Sequence, residues 1–431
     1  MEKQEISPIP PRRNFFSSVM ILGAAGLATS FSGCNLFPGN KKLKGIRWDL
    51  AKASLSTPII STHSHFRPDI NIEDLFTLFD TSYVGWCEAN KADKAIYLEE
   101  LRSRSYFVWL EKALVEIYEI EEGKITADNF DLLSEKIKTT HQDKEFPFSI
   151  YRDKCRYEKA VHDAYWNPGV KFPDPFVSTF RINSFFYGFN ETVLDHNGNN
   201  ARLLYQMPAK NIAEYEQQMF DVFSAKKAEG CVALKCAIAY DRSLHFTEVS
   251  SERANHALCA HPSPEAIHDF GNYIAFSICR MAAELDIPLQ IHTGLGILVD
   301  SNAMQLRELI DKNKKTKFVL FHGGYPWMDD IFALAHNYGN VYPDMCWLPL
   351  ISSSAAIRFV AEATEVANTE KICWGCDTWT AEEAYGAVMA ARYALVEGLA
   401  KKVEDGLLSM DTAQSLIRKI LYDNAKTLYK L

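Results

Sequence analysis

Pro288-Leu289-Gln290-Ile291-His292 is a strand-length run that ends on a histidine, and a helix-length run from Pro264 to Leu285 comes directly before it. In that longer run Ile267, Phe270, Ile274, Ile278, Met281 and Leu285 recur at three- and four-residue intervals, the mark of one buried helix face. The pairing extends in both directions. Short β-rich runs at Pro58–His65, Tyr157–Asp163, Arg181–Tyr187, Cys231–Ile238, Ile287–His292, Lys317–His322, Asn340–Met345 and Lys371–Asp377 alternate with helical stretches, ending in a helix over Ser409–Tyr429. Strands that alternate with helices form a parallel sheet, and eight of them close a barrel. The expected fold is therefore α/β, a (β/α)₈ TIM barrel over residues 45–431.

One segment is too long for a βα loop. Residues 70–150 are helical and aromatic (Phe76, Phe79, Tyr83, Trp86, Tyr106, Phe107, Trp109) and follow the first strand. Such an insertion emerges at the face where barrel enzymes keep their sites, so it is expected to be both a packed helical subdomain and a lid.

Polar residues gather at the strand ends. His63 and His65 close the first strand, and a period of two points both imidazoles the same way. His292, His322 and Asp377 end the fifth, sixth and eighth strands, and Lys235 lies within the fourth. There Ala233, Lys235 and Ala237 share one face, which suits a crowded barrel interior, while Val232, Leu234, Cys236 and Ile238 suit the helix-facing side. A single histidine of this kind reads as readily as a hydrogen-bonded core residue. Six ionisable groups at one barrel mouth are costly without a metal or a charged ligand. His141, His196, His245, His256, His261, His268 and His336 fall in helices or loops and read as surface or structural, and His162 is placed to line the pocket.

Thr62-His63-Ser64-His65, Leu234-Lys235-Cys236-Ala237-Ile238-Ala239-Tyr240, Gln290-Ile291-His292-Thr293-Gly294, Leu320-Phe321-His322-Gly323-Gly324-Tyr325-Pro326, Gly375-Cys376-Asp377 and Asp423-Asn424-Ala425 resemble the amidohydrolase superfamily. The branch most similar is the amidohydrolase-related barrel also found fused to glutamine-synthetase-like domains. The resemblance implies that His63, His65, His292 and Asp377 ligate a divalent metal. It implies for His322 a second-metal or catalytic role, and for Lys235 either a carboxylated bridge between two metals or a cation that binds a substrate carboxylate. Ser61 stands where the family often carries Asp. Tyr240, Arg242, Tyr325 and Trp379 are the residues expected to contact substrate.

Three histidines and a carboxylate suit Zn²⁺. Asp377, His322 and Lys235 are the expected catalytic residues, with Asp377 taking a proton from water and handing it to the leaving group. The expected reaction is hydrolysis of an amide C–N bond or a lactone in a small polar substrate. The alternatives are a decarboxylase or uronate-type isomerase on the same barrel and, from another class, an inactive ligand-binding lipoprotein. The last would be expected to lose its ligand positions, and this sequence keeps them.

The net charge of −9 argues against nucleic acid as a partner, since phosphate binding wants a basic face. Arg12-Arg13-Asn14-Phe15-Phe16, the apolar stretch Val19–Phe31 and Phe31-Ser32-Gly33-Cys34 resemble a twin-arginine signal ending in a lipobox. Residues 1–34 are thus expected to be a signal peptide with lipidation at Cys34, and residues 35–44 a tether. The chain would then be anchored to the bacterial envelope on its periplasmic side. Nine further cysteines at irregular spacing do not suggest a disulfide framework.

Overall fold

The computed structural model describes residues 44–166 and 171–431. The expected signal peptide, Cys34 and nearly all of the expected tether lie outside the described residues. Seven parallel strands follow one another in sequence order: β1 (Ile59–Ser64), β2 (Tyr157–His162), β3 (Phe176–Arg181), β4 (Ala233–Cys236), β5 (Leu289–Ile291), β6 (Phe318–Leu320) and β7 (Val341–Pro343). The eighth run forms no regular strand yet still closes the ring. Cys373 donates its N–H to Pro343 O and accepts from Met345 N, both at 3.0 Å. On the other side Thr62 N donates to Trp374 O at 3.1 Å and Asp377 N to His63 O at 3.0 Å.

This seam is tight because Gly375 lets two backbones meet. A Cβ there would lie 2.6 Å from His63 N and 2.6 Å from Thr62 Oγ1.

Strand parity sorts the core. Leu234, Cys236, Leu289, Ile291, Phe318 and Leu320 face the surrounding helices. Ala233, Val319, Phe321 and Cys373 meet Ile60 and Val161 inside the barrel, where Tyr422, Ala425 and Leu428 of the C-terminal helix join them. Ile60 and His63 both face inward although three residues apart. The pairing of β1 with β2 is irregular between Ser61 and Ser64, as a bulge requires.

The third strand corrects the reading from sequence. It covers Phe176–Arg181, and Asn183–Tyr187 is a 3₁₀ turn. Both runs are aromatic and strand-prone, so no change of period separates them. The shift moves Arg181 from the start of a strand to its C-terminal end, at the barrel mouth.

The insertion has a core of its own, with Leu78, Phe79, Tyr97, Phe107, Leu110, Phe130 and Ile137 buried together. Each fully buried Leu or Phe contributes about 1.5–3 kcal/mol of transfer free energy, enough to hold so small a subdomain against the barrel. Its helix Ser105–Ile117 lies on helix Ala381–Glu404, where Trp109 Nε1 donates to Ser353 Oγ at 2.8 Å and Tyr118 Oη to Glu382 at 2.8 Å.

Candidate metal centre and cavity

His63 and His65 leave β1 with their Nε2 atoms 3.2 Å apart. Asp377 Oδ1 lies 3.2 Å from His65 Nε2 and 3.6 Å from His63 Nε2. All three side chains are buried.

Hydrogen-bond partners assign the protons. A carbonyl only accepts, so His65 Nδ1, 3.0 Å from Asp163 O, carries its hydrogen and leaves a lone pair on Nε2. The same logic runs through two residues at the fifth and sixth strand ends. His322 Nδ1 donates to Cys346 O at 3.1 Å. Burial holds His322 down to about 4, against the pull of Asp377, so it is neutral and its Nε2 accepts. His292 Nδ1 therefore donates to it at 2.8 Å. His292 Nε2 is left as a buried lone pair with no partner among the described residues.

Such an arrangement repels itself unless a cation lies near it, and the spacing of His63, His65 and Asp377 fits one. Ligands about 2.1 Å from a common ion are separated by roughly 3.0–3.4 Å, and the observed spacings of 3.2–3.6 Å are close to that. Burial, with the nearby charge of Lys235, pushes His63 well below its usual value, and burial with His322 does the same for His292. Both imidazoles are thus in the form that ligates. Burial alone would raise Asp377, but the polar groups around it, His65 first and Lys235 among them, hold it down to about 2.

The family resemblance allowed a second metal on His322 and Lys235. His322, Cys346 and Asp377 do fall within ligand distance of one another, yet His322 Nδ1 is occupied by the Cys346 carbonyl. Lys235 Nζ sits 3.9 Å from the centre of the Phe321 ring, and burial lowers it to about 8. His63, His65 and Asp377 form a group of donors within ligand distance of one another, and His322 holds His292 in place beside the same cavity.

Above these groups opens a cavity of about 230 Å³. His63, His65, Lys235, Tyr240, His292, Asp377 and Trp379 all line it. His322 lies just beneath, buried against Trp347. His322, Trp347 and Asp377 hold left-handed backbone, with φ of 64°, 62° and 58°. That conformation is costly for such residues and gathers at functional sites. By parity with Leu320, His322 would point outward, and the left-handed turn brings it in.

Two residues expected to contact substrate lie outside this cavity. Arg242 turns away, donating to Asn272 Oδ1 at 2.9 Å and packing on Phe246, so it anchors its loop to helix Pro264–Glu284. Tyr325 is partly buried in the helix layer, and its carbonyl fills the space beside Gly294. His162, expected at the pocket, instead hydrogen-bonds Phe66 O at 3.0 Å and packs against Phe172.

Other residues also line the cavity, and only some of them escaped the sequence reading. The insertion supplies Tyr83 and Trp86. Arg181 ends β3 and grips Asp163 Oδ2 through Nε at 3.0 Å and Nη2 at 2.5 Å; its Nη1 makes no hydrogen bond among the described residues. Burial would raise Asp163, but Arg181 holds it low. His196 and Asn197 come from the loop after β3. Polar residues at the ends of β2 and β3 were a usable signal for Asp163 and Arg181. Nothing in the local sequence marks His196.

Residues 258–431 match the family model described as Amidohydrolase. Protein fluG of Emericella nidulans is 32% identical over 150 residues, which is 33% of this chain and 17% of that protein, so the chain spans about a sixth of that relative. Glucuronate isomerase of Caulobacter crescentus superposes with a TM-score of 0.72 at 17% identity, over 93% of this chain and 97% of its own. Uronate isomerase of Thermotoga maritima gives 0.71 at 16%, over 90% and 100%. A Lactobacillus casei ATCC 334 protein provisionally named a metal-dependent hydrolase gives 0.67 at 19%, over 89% and 97%. At these identities the likeness to solved structures is one of fold.

Proposed function

We propose that the protein is a metal-dependent hydrolase of the amidohydrolase kind, since residues 258–431 match that family's model and the described chain shares its fold with the solved structures named above. Its substrate is a small polar molecule bearing a carboxylate, cleaved at an amide C–N bond or a lactone. One observation carries this reading: unprotonated donors converge at the floor of a cavity that also holds two cations with spare capacity, Arg181 and Lys235.

Three nitrogens and one carboxylate favour Zn²⁺, held by His63, His65, His292 and Asp377. When bound, such an ion supplies Lewis acidity and a water that ionises near neutral pH. Asp377, ionised and beside both β1 histidines, accepts a proton from water at the cavity floor. Arg181 Nη1 and Lys235 Nζ hold the substrate carboxylate. Tyr83, Trp86, Trp347 and Trp379 form an aromatic wall that orients the substrate and keeps bulk water out.

The same cations and wall also suit a sugar acid, so uronate isomerisation is the second reading. A panel of N-acyl amino acids, γ-glutamyl amides, lactones and uronates, assayed with Zn²⁺-loaded protein, decides between them. Hydrolysis within the first three classes is expected. Conversion of a uronate alone would move the assignment to isomerase, and full turnover by chelator-treated protein would remove the metal. We further propose that the enzyme works at the cell envelope, anchored through Cys34. Cys34→Ser should release it from the membrane fraction, and unchanged membrane association would sink that placement.

A further inference from the structure

The loops after β3 and β4 build a histidine–aspartate pair into the cavity wall. His196 Nδ1 lies 2.7 Å from Asp241 Oδ2, and the His196 backbone N–H donates to Oδ1 at 2.9 Å. Asn183 Nδ2 reaches the same carboxylate at 3.3 Å, while Asn183 Oδ1 accepts the N–H of Ala237 at 2.8 Å. The pair is thereby tied to the end of β4. The Asp241 side chain is 7% exposed and that of His196 27%.

A carboxylate only accepts, so Nδ1 carries a hydrogen and Nε2 is the working end. Nε2 makes no hydrogen bond among the described residues, and the imidazole lines the cavity. The Tyr240 ring stands 5.2 Å from His196 and 4.4 Å from His292, so this histidine and the metal donors face one small space. A surface histidine has no need of a buried carboxylate gripped from three sides. A proton donor does, because the carboxylate fixes the ring and offsets the imidazolium charge.

We propose that His196, oriented by Asp241, is the general acid that protonates the leaving group, a role that rests on the hydrolase reading. As the C–N or C–O bond breaks, its electron pair goes to the departing atom, which takes the proton from Nε2. The attacking water leaves its hydroxyl on the carbonyl carbon and its other proton on Asp377. Solvent, which reaches the exposed edge of His196, returns a proton to Nε2, and Asp377 releases one to solvent. Atoms and charge balance over the cycle, and the leaving-group proton comes from His196 rather than Asp377.

The test uses the full, Zn²⁺-loaded chain and two acetyl donors. N-acetyl-L-glutamate expels an amine that needs a proton, whereas p-nitrophenyl acetate expels a phenolate that does not. His196→Gln and Asp241→Asn should each lower kcat on N-acetyl-L-glutamate by about a hundredfold, the scale of acid catalysis, and on p-nitrophenyl acetate by less than about threefold. Metal content and Tm should stay at the wild-type values. Equal losses on both donors, or loss on neither, would overturn the proposal while leaving the hydrolase reading intact. Failure of the wild type on both donors and on every amide and lactone of the panel would overturn the hydrolase reading and the acid role together. Carbethoxylation by diethyl pyrocarbonate reports position without turnover: glutarate in the cavity should protect His196 and leave His256 reactive. No protection would place Nε2 outside the site and overturn the proposal.

Discussion

In the proposed site, His292 is prepared as a ligand by a neighbour that is not one. Cys346 O fixes the hydrogen of His322, His322 fixes that of His292, and the lone pair emerges where the ion would sit. Two kinds of variant should therefore differ. His63→Asn removes a donor and should lose the ion on dialysis against a mild chelator. His322→Phe only unpins His292 and should weaken retention about ten- to a hundredfold, the usual scale for such supports. Asp377→Asn should keep part of the metal yet lose about a hundredfold in turnover. If His322→Phe stripped the metal completely while His63→Asn kept it, the proton assignment would be wrong. Much of this was legible beforehand. His63, His65, His292 and Asp377 stand at strand ends, which the sequence marks, whereas the bulge that turns His63 inward it does not. His322 was found by position, but what turns it inward is a left-handed backbone that no period encodes. Arg181 was hidden by a strand boundary, and His196 by lying in a loop.

At the scale of elements, one carboxyl group ties the cavity-lining turn of the insertion to the barrel. Glu383, in the first turn of helix Ala381–Glu404, accepts the N–H of Tyr83 at 2.6 Å and that of Trp379 at 3.3 Å. Both residues line the cavity, so the latch sets the aromatic wall. Burial pushes Glu383 up to about 8. A carboxyl raised in the folded state binds its proton more tightly there than in the unfolded chain. Stability should therefore fall as pH rises from about 5 to about 8 and level off above, with a slope of up to ~1.4 kcal/mol per pH unit from this group. Glu383→Gln should flatten that slope in urea unfolding at pH 5, 6.5 and 8, and parallel curves for the two proteins would refute it. The helical, aromatic character of the insertion could be read from its residues. Its attachment could not, because Glu383 looks like an ordinary first-turn acid opposite the capping Thr380.

For the whole molecule, the ring depends on its seam. Eight strand-like runs were legible because β-rich runs and amphipathic helices alternate. That the eighth would close the barrel by scattered hydrogen bonds was not, since it follows from two backbones meeting at Gly375. Gly375→Ala would force a Cβ against His63 N and Thr62 Oγ1, and only backbone movement can relieve it. The expected cost is about 1–3 kcal/mol, read as a lower Tm, with weaker metal retention because His63 and Asp377 flank the break. A Tm and metal content equal to wild type would show that the seam can open freely.

The seam also dates the metal. Two donors lie near the start of the barrel and Asp377 near its end, so a growing chain that stops short of the closing run owns an unfinished ring and an incomplete claw. A fragment that ends before the closing run lacks both Asp377 and the Gly375 contact, so the proposed site is whole only once the last strand-like run has been made.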